Sequence, residues 1–216
     1  MHNEPTLLGL DMVQIFFWMG FGLLLPQALW VRRRATRFED AAGEPAGQVA
    51  GPDPVRLIAI GDSIIAGVGC RTLEQACVGQ TALQLSKQLG RGVTWVSLGR
   101  TGATTGGILR HLIPQLPEQK ADFILISAGV NDMTALKKIP EWIQRLSTLI
   151  QAMKMHSPDA IVVMLGIPPL GRFPRLPQPL RALFGLRARG FDKAAATLLA
   201  PLPNVVYVPF DHDLQP

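Results

Sequence analysis

The sequence is poor in the residues that build disulfide frameworks and metal sites. It contains two cysteines, Cys70 and Cys77, and four histidines in 216 residues. No Cys and His residues pair at the spacing of a zinc site, and two cysteines do not make the disulfide framework of a small secreted protein. The sequence therefore implies no metal and no organic cofactor. The cysteines are interpreted as small apolar residues, with a disulfide between them left open.

Charged residues are also few, at 17% of the chain against 48% hydrophobic residues. The net charge of +5 suggests nucleic acid as a partner, but the arginines are not interleaved with the aromatic residues that would stack on bases. They gather in two clusters: Arg32, Arg33, Arg34 and Arg37, then Arg172, Arg175, Arg181, Arg187 and Arg189. The composition predicts one folded domain with one very apolar segment, and no nucleic acid as partner. The oligomeric state stays open.

The apolar segment covers residues 12–31, which are 20 residues without a charge. That is about the length of a helix that crosses a bilayer core. A signal peptide would carry positive charge before the run and an amphipathic surface helix would have a polar face, whereas here three arginines follow at 32–34. The pattern predicts a single-pass membrane anchor over residues 1–34. The positive-inside rule then places the rest of the chain in the cytoplasm.

Residues 35–54 are rich in Ala, Gly and Pro and are interpreted as a linker to a domain at 55–216. In that domain strand-like runs alternate with helical patterns. The predicted strands are 55–60, 93–97, 123–127, 161–166 and 205–209, and the predicted helices are 74–89, 105–116, 140–156 and 182–199. This alternation predicts an α/β fold: a flavodoxin-like, doubly wound, parallel five-stranded sheet after a single N-terminal transmembrane helix.

A proline-rich segment interrupts this alternation after the fourth strand. Five prolines fall between 168 and 179, so a regular helix is excluded until after Pro179. A long loop at the carboxyl edge of a sheet is either a surface excursion or a substrate-binding loop. Phe173, Leu176 and the nearby arginines would suit an acyl chain or an anionic lipid surface.

Three strand ends on one edge of the predicted sheet carry residues suited to acyl transfer. Ser63 follows the first strand, Gly99 the second and Asn131 the third. A serine hydroxyl can attack a carbonyl carbon, and the backbone N–H groups of Ser63 and Gly99 with the Asn131 amide could stabilise the oxyanion. By itself the turn at Ser63 fits a helix N-cap equally well. The three strand ends together favour a nucleophile.

These blocks resemble those of the GDSL, or SGNH-type, hydrolase family of esterases and lipases. The matching residues are Gly61, Asp62, Ser63 and Gly67 in the first block, Gly99 in the second, and Gly129, Asn131 and Asp132 in the third. Ser97 departs from the asparagine that is usual two residues before the glycine. The resemblance implies that Ser63 is the nucleophile, that Gly99 and Asn131 are oxyanion donors, and that the substrate is a small-molecule or lipid ester. The resemblance does not specify the length of the acyl chain. It also does not decide whether the chain is a hydrolase or an acyltransferase.

The fourth block of the family, DxxH, does not occur in the sequence. In the family its histidine is the general base and its aspartate orients that histidine. His212 follows the last predicted strand, but its acidic neighbours Asp211 and Asp213 are adjacent to it. Three explanations are open: the sequence stops before the block, His212 serves as the base, or the chain is an inactive relative. We expect the first. The predicted function is a membrane-anchored serine esterase or lipase, with a catalytically inactive, membrane-tethered binding protein as the alternative.

Overall fold

The structure, a computed structural model, describes residues 7–34 and 38–210. Its strands are β1 (Ala46–Val49), β2 (Val55–Gly61), β3 (Val93–Gly99), β4 (Phe123–Ser127), β5 (Ile161–Leu165) and β6 (Val205–Val208). Its helices are α1 (Leu7–Arg34), α2 (Cys77–Leu89), α3 (Thr105–His111), α4 (Val130–Thr134), α5 (Ile139–His156) and α6 (Leu180–Leu199). Short 3₁₀ turns lie at Ile113–Gln115 and Leu170–Arg172. The segment after the fourth predicted strand becomes helical at α6, directly after the last of its five prolines.

The strands form one mixed six-stranded sheet in the order β1-β3-β2-β4-β5-β6. The predicted five-stranded, all-parallel sheet is wrong, because β1 adds an antiparallel edge strand that pairs Ala46 with Val96 and Val49 with Val93. This strand lies inside residues 35–54, which the sequence analysis interpreted as a linker. Its sequence, AGQV, is short, and its side chains alternate between exposed and half-buried. It lacks the continuous apolar run by which a buried parallel strand is recognised.

The central strands are buried on both faces because helices cover the sheet on each side. Leu57 and Ala59 of β2 pack into one core with α2, and Ile58 and Ile60 pack into the other. The second core includes Trp142 of α5, whose ring lies 4.7 Å from that of Phe191 in α6. A strand with helices on both faces needs apolar residues at every position, which explains the run from 57 to 60.

Helix α1 packs against α6. Phe17 and Phe21 of α1 are 1% and 9% exposed, and their rings lie 6.3 Å and 6.2 Å from Phe184 of α6. Within residues 7–34 and 38–210, no helix is both long and apolar enough to span a bilayer. The predicted transmembrane anchor is therefore wrong, and so is the single-pass membrane location derived from it. The uncharged stretch at residues 12–31 misleads here, because a helix that packs on a folded domain can lack charge just as a helix in lipid does.

The register of the sheet brings the candidate residues to one edge. Gly61, the last residue of β2, pairs with Gly99 of β3 on one side and with Ser127 of β4 on the other. All three strands run in the same direction, so their carboxyl ends lie side by side. In open α/β sheets this edge is where ligands bind.

Candidate active site

The turn that carries Ser63 is held by the residue before it. The Asp62 N–H donates to the Ser127 carbonyl at 3.1 Å. The Asp62 carboxylate accepts hydrogen bonds from the Ile64 N–H at 3.1 Å and from the Ser127 hydroxyl at 2.9 Å. The Ala66 N–H donates to the Asp62 carbonyl at 3.0 Å, and this bond closes the turn. Asp62 thus caps the turn as an N-cap residue would, and Ser63 is left half-buried beyond the end of β2.

Burial raises the pKa of the Asp62 carboxyl, and the hydrogen bonds from Ile64 and Ser127 partly offset that rise. The side chain is 1% exposed, which leaves it facing protein atoms on all sides. It therefore positions the turn and does not face a substrate.

Gly99 is required by the packing of β3 against this turn. A Cβ at position 99 would lie 2.2 Å from the Ala66 nitrogen and 2.5 Å from its Cα. The glycine at this position is therefore needed for close approach to the protein's own backbone.

The backbone N–H of Gly99 takes no part in the β2–β3 ladder. The Arg100 N–H donates to the Gly61 carbonyl at 3.0 Å, whereas the Ser97 N–H donates to the Pro45 carbonyl on the β1 side at 2.7 Å. Alternate residues of a strand bond to opposite neighbours, so the Gly99 N–H does not bond to β2. The β1 ladder ends earlier, at the pair Ala46–Val96, so among the described strands none opposes this N–H.

Ser97, the departure from the family's usual asparagine, also supports the turn. It is buried, and its hydroxyl donates to the Ile65 carbonyl at 2.8 Å. This contact does not follow from any local pattern, because the bond joins β3 to a residue 32 positions earlier in the chain.

Asn131 lies in the first turn of α4, just beyond the end of β4. Its Nδ2 donates to the Ala103 carbonyl at 2.9 Å, which fixes the amide and leaves its second N–H for another acceptor. Gly129 precedes the helix with φ of 123°, and a Cβ there would lie 2.7 Å from Ile167 Cδ1. The glycine of this block is therefore needed for backbone conformation and for space.

Asp132 anchors α3 to α4. It is fully buried, and its Oδ2 accepts from the Thr105 N–H at 2.7 Å and from the Thr105 hydroxyl at 2.9 Å. The Trp142 indole N–H donates to the same hydroxyl at 3.0 Å. Burial raises the pKa of the Asp132 carboxyl, and the bonds from Thr105 oppose that rise. Thr105 was missed by sequence reasoning because no pattern links it to Asp132, 27 residues later.

The histidines of the described residues lie away from Ser63. His156 ends α5 before β5, at the opposite edge of the sheet, and its ring nitrogens contact the Ser157 hydroxyl and the Pro117 carbonyl. His111 ends α3, a helix whose other end, Thr105, contacts Asp132. The candidate base His212 lies outside the described residues. Within the described ranges, no three His, Cys, Asp or Glu side chains gather in a group that could hold a metal ion.

The profile of the GDSL-like Lipase/Acylhydrolase family matches residues 59–216, which include all three blocks. The chain belongs to this family. The resemblance drawn from the sequence is thereby confirmed. A GDSL-like esterase of Mycobacterium tuberculosis is 33% identical over 169 residues, which are 76% of this chain and 52% of that protein. The chain spans about half the length of this curated relative.

Solved structures agree on the fold of this family member. A carbohydrate esterase family 2 enzyme of Corynascus thermopiles matches with a TM-score of 0.59 at 15% identity, over 77% of this chain and 59% of that one. The SGNH-hydrolase family esterase AlinE4 matches with a TM-score of 0.55 at 18% identity, over 74% of this chain and 77% of that one. At these identities the likeness shows a shared fold and nothing finer.

Proposed function

We propose that the chain is a serine esterase that hydrolyses a carboxylic ester, with Ser63 as nucleophile and Gly99 and Asn131 as oxyanion donors. The observation that carries the proposal is the pairing of Gly61 with Gly99 on one side and with Ser127 on the other. This register puts the Ser63 turn between the end of β3 and the start of α4. Family membership supports the reaction class.

In the proposed reaction the Ser63 oxygen attacks the carbonyl carbon of the ester, and the carbonyl electron pair moves onto its oxygen. The N–H groups of Ser63 and Gly99 and the second amide proton of Asn131 stabilise this oxyanion. The oxyanion collapses, the alcohol leaves with a proton, and an ester to Ser63 remains. Water then attacks that ester, releases the carboxylic acid and returns the proton to Ser63.

Three buried groups keep Ser63 in place during this sequence. Asp62 caps the turn, Ser127 binds Asp62, and Ser97 binds the Ile65 carbonyl. None of the three needs to exchange a proton with the substrate. Their contribution is a turn that does not have to reorganise when the oxyanion forms, which is the main source of catalysis by hydrogen-bond donors.

The Ser63 proton requires an acceptor, and His212 is the histidine that the sequence analysis placed at this edge. Its contribution is tested by His212→Gln, because glutamine keeps hydrogen-bonding capacity but does not accept a proton at neutral pH. A loss of about 1,000-fold or more in kcat would assign the base to His212. Unchanged kcat would exclude it.

A second candidate function is a non-catalytic binding protein on the same fold. It is favoured by one observation: in the described part of the chain, the histidines lie away from Ser63. Such a protein would bind an ester at the same edge without turning it over.

Hydrolysis of p-nitrophenyl acetate and butyrate decides between the two functions. We expect the wild-type chain to release p-nitrophenol and Ser63→Ala to fall to the buffer rate. Ser147→Ala is the matched control, because Ser147 lies on α5, away from the strand ends. Equal rates in wild type and Ser63→Ala would overturn the serine mechanism, and binding of ester without turnover would favour the binding protein.

A further inference from the structure

A cavity of about 970 Å³ lies beside Asn131, between α1 and the rest of the protein. Gly102, Thr104 and Asn131 line it, so the cavity adjoins one of the proposed oxyanion donors, although Ser63 and Gly99 are not among its lining residues. Pockets for small-molecule ligands have volumes of roughly 300–1,000 Å³. This cavity is at the upper end of that range, and an acetyl group would fill only a small part of it.

Apolar side chains of α1 and of the segment around α6 line the cavity, and Phe21 and Phe184 are in contact where the two helices pack. Phe21, Leu25 and Leu29 repeat at intervals of four residues along α1, which places them on one stripe of that helix. The opposite wall contains Leu176, Leu180 and Phe184, from the proline-rich segment and α6. Leu25 and Leu29 are each 46% exposed, so the cavity holds apolar surface that a bound ligand would remove from water.

The charged lining residues are Arg34 and Arg175, and none of the lining residues among those described is acidic. Both arginines are exposed. They attract anions, and the product of ester hydrolysis is an anion, the carboxylate. The described lining therefore combines apolar surface with positive charge and has no acidic side chain that would repel an anionic product.

We propose that this cavity binds the acyl chain of the ester, and that the preferred substrates have unbranched acyl chains of about eight or more carbons. The proposal rests on the esterase function proposed above and adds the substrate class. In it, α1 forms one wall of the substrate site. The ester carbonyl lies at Asn131 and the acyl chain extends between Leu25 and Leu29 on one side and Leu176 and Leu180 on the other.

The first test is a series of p-nitrophenyl esters, from acetate through butyrate and octanoate to dodecanoate, which changes only the acyl chain. Each methylene moved from water into an apolar cavity favours binding by up to about fourfold. Wild-type kcat/KM should therefore rise at least about 100-fold from acetate to octanoate. A ratio near one would overturn the proposal.

The second test narrows the cavity from α1. Ala28 lines the cavity, so Ala28→Trp should reduce the octanoate-to-acetate ratio of kcat/KM by at least about tenfold. Leu23→Trp is the matched control on the same helix, because Leu23 is 84% exposed and is not part of the lining. Leu176→Trp repeats the test from the opposite wall, in case Ala28→Trp fails to fold. An unchanged ratio in both cavity variants would contradict the proposal.

A binding experiment distinguishes failure of this proposal from failure of the esterase function. The probe is dodecanoate, titrated calorimetrically into the 216-residue Ser63→Ala protein, which needs no turnover. We expect binding that weakens at least about tenfold when Ala28→Trp is added and is unchanged when Leu23→Trp is added. If no ester is hydrolysed but dodecanoate binds in this way, the esterase function fails and the acyl site stands. Absence of binding, or equal weakening by both tryptophan variants, overturns the acyl site.

Discussion

The Ser127 hydroxyl donates a 2.9 Å hydrogen bond to the carboxylate of Asp62, the residue that precedes the proposed nucleophile. The two side chains come from adjacent strand ends, 65 positions apart in the chain, and both are buried. The bond ties the end of β4 to the turn after β2. The position of Ser63 thus depends on a contact that the GDS motif does not itself contain.

Ser127→Ala should weaken both stability and catalysis. Hydrogen bonds to charged groups contribute about 1.5–3 kcal/mol, and the variant leaves the buried Asp62 carboxylate with one donor fewer. We expect the free energy of unfolding in urea to fall by about 1.5–3 kcal/mol, and kcat for p-nitrophenyl acetate to fall more than KM rises. Ser147→Ala is the control. An unchanged unfolding free energy would show that the contact does not hold the turn.

Buried carboxyl groups predict an unusual pH dependence of stability. Burial raises the pKa of Asp132 above its ordinary value of 3.8, and its Oδ1 is buried without a hydrogen-bond partner among the described residues. A raised pKa means that the folded state binds the proton more tightly than the unfolded state, so this group stabilises the fold as pH falls. The stabilising contribution is complete below 3.8 and is lost as pH rises through the folded-state pKa.

Urea denaturation at several pH values between 7 and 4 tests this expectation. Wild type should gain stability relative to Asp132→Asn as pH falls, because the variant has no carboxyl group to protonate. Asp159→Asn removes an exposed carboxyl and is the control. A stability difference between wild type and Asp132→Asn that is constant across this range would contradict the prediction.

Gly99→Ala should disrupt the site through packing alone. The new Cβ would lie 2.2 Å from the Ala66 nitrogen, so β3 or the Ser63 turn must shift. We expect the free energy of unfolding to fall by about 1–3 kcal/mol, and by more if the backbone cannot shift to make room for the Cβ. Esterase activity should be lost. Gly22→Ala is a useful contrast, because nothing lies within 4 Å of its Cβ position. In a helix interior this change is expected to stabilise by about 0.5–1 kcal/mol.

Asn131→Ala should reduce turnover without preventing substrate binding. Removal of one oxyanion donor typically lowers kcat by about 100- to 1,000-fold, since the bond is strongest in the transition state. KM for p-nitrophenyl acetate should change by less than about threefold, because the interaction is weak in the ground state. Ser147→Ala, on α5 away from the strand ends, should leave kcat near that of wild type. A fall in Asn131→Ala that appears only in KM would remove the residue from the oxyanion site.

The parts of this protein that follow from the sequence are those encoded by local patterns. The buried runs of β2 and β4 are continuous apolar segments because helices cover both faces of the sheet. The strand-end blocks carried the family resemblance because glycine, serine and asparagine are needed there at fixed positions. These features require no knowledge of distant contacts.

The features that sequence reasoning missed depend on such contacts. Strand β1 forms because it pairs with the free edge of β3. Its own four residues do not show a pattern that predicts a strand. Residues 12–31 carry no charge, as an anchor would, but Phe17 and Phe21 pack on Phe184 of α6. The bonds from Ser97 to Ile65 and from Thr105 to Asp132 join segments 32 and 27 residues apart. Contacts between residues so far apart in the chain cannot be predicted from local patterns in one sequence.

Covalent labelling distinguishes Ser63 from every other serine of the chain as the nucleophile. The 216-residue chain would be treated with a fluorophosphonate ester, digested and analysed by tandem mass spectrometry. We predict one phosphonyl adduct on the peptide that contains Ser63, and none in Ser63→Ala. An adduct on a different serine, or no adduct in a wild-type sample that hydrolyses p-nitrophenyl acetate, would contradict this account.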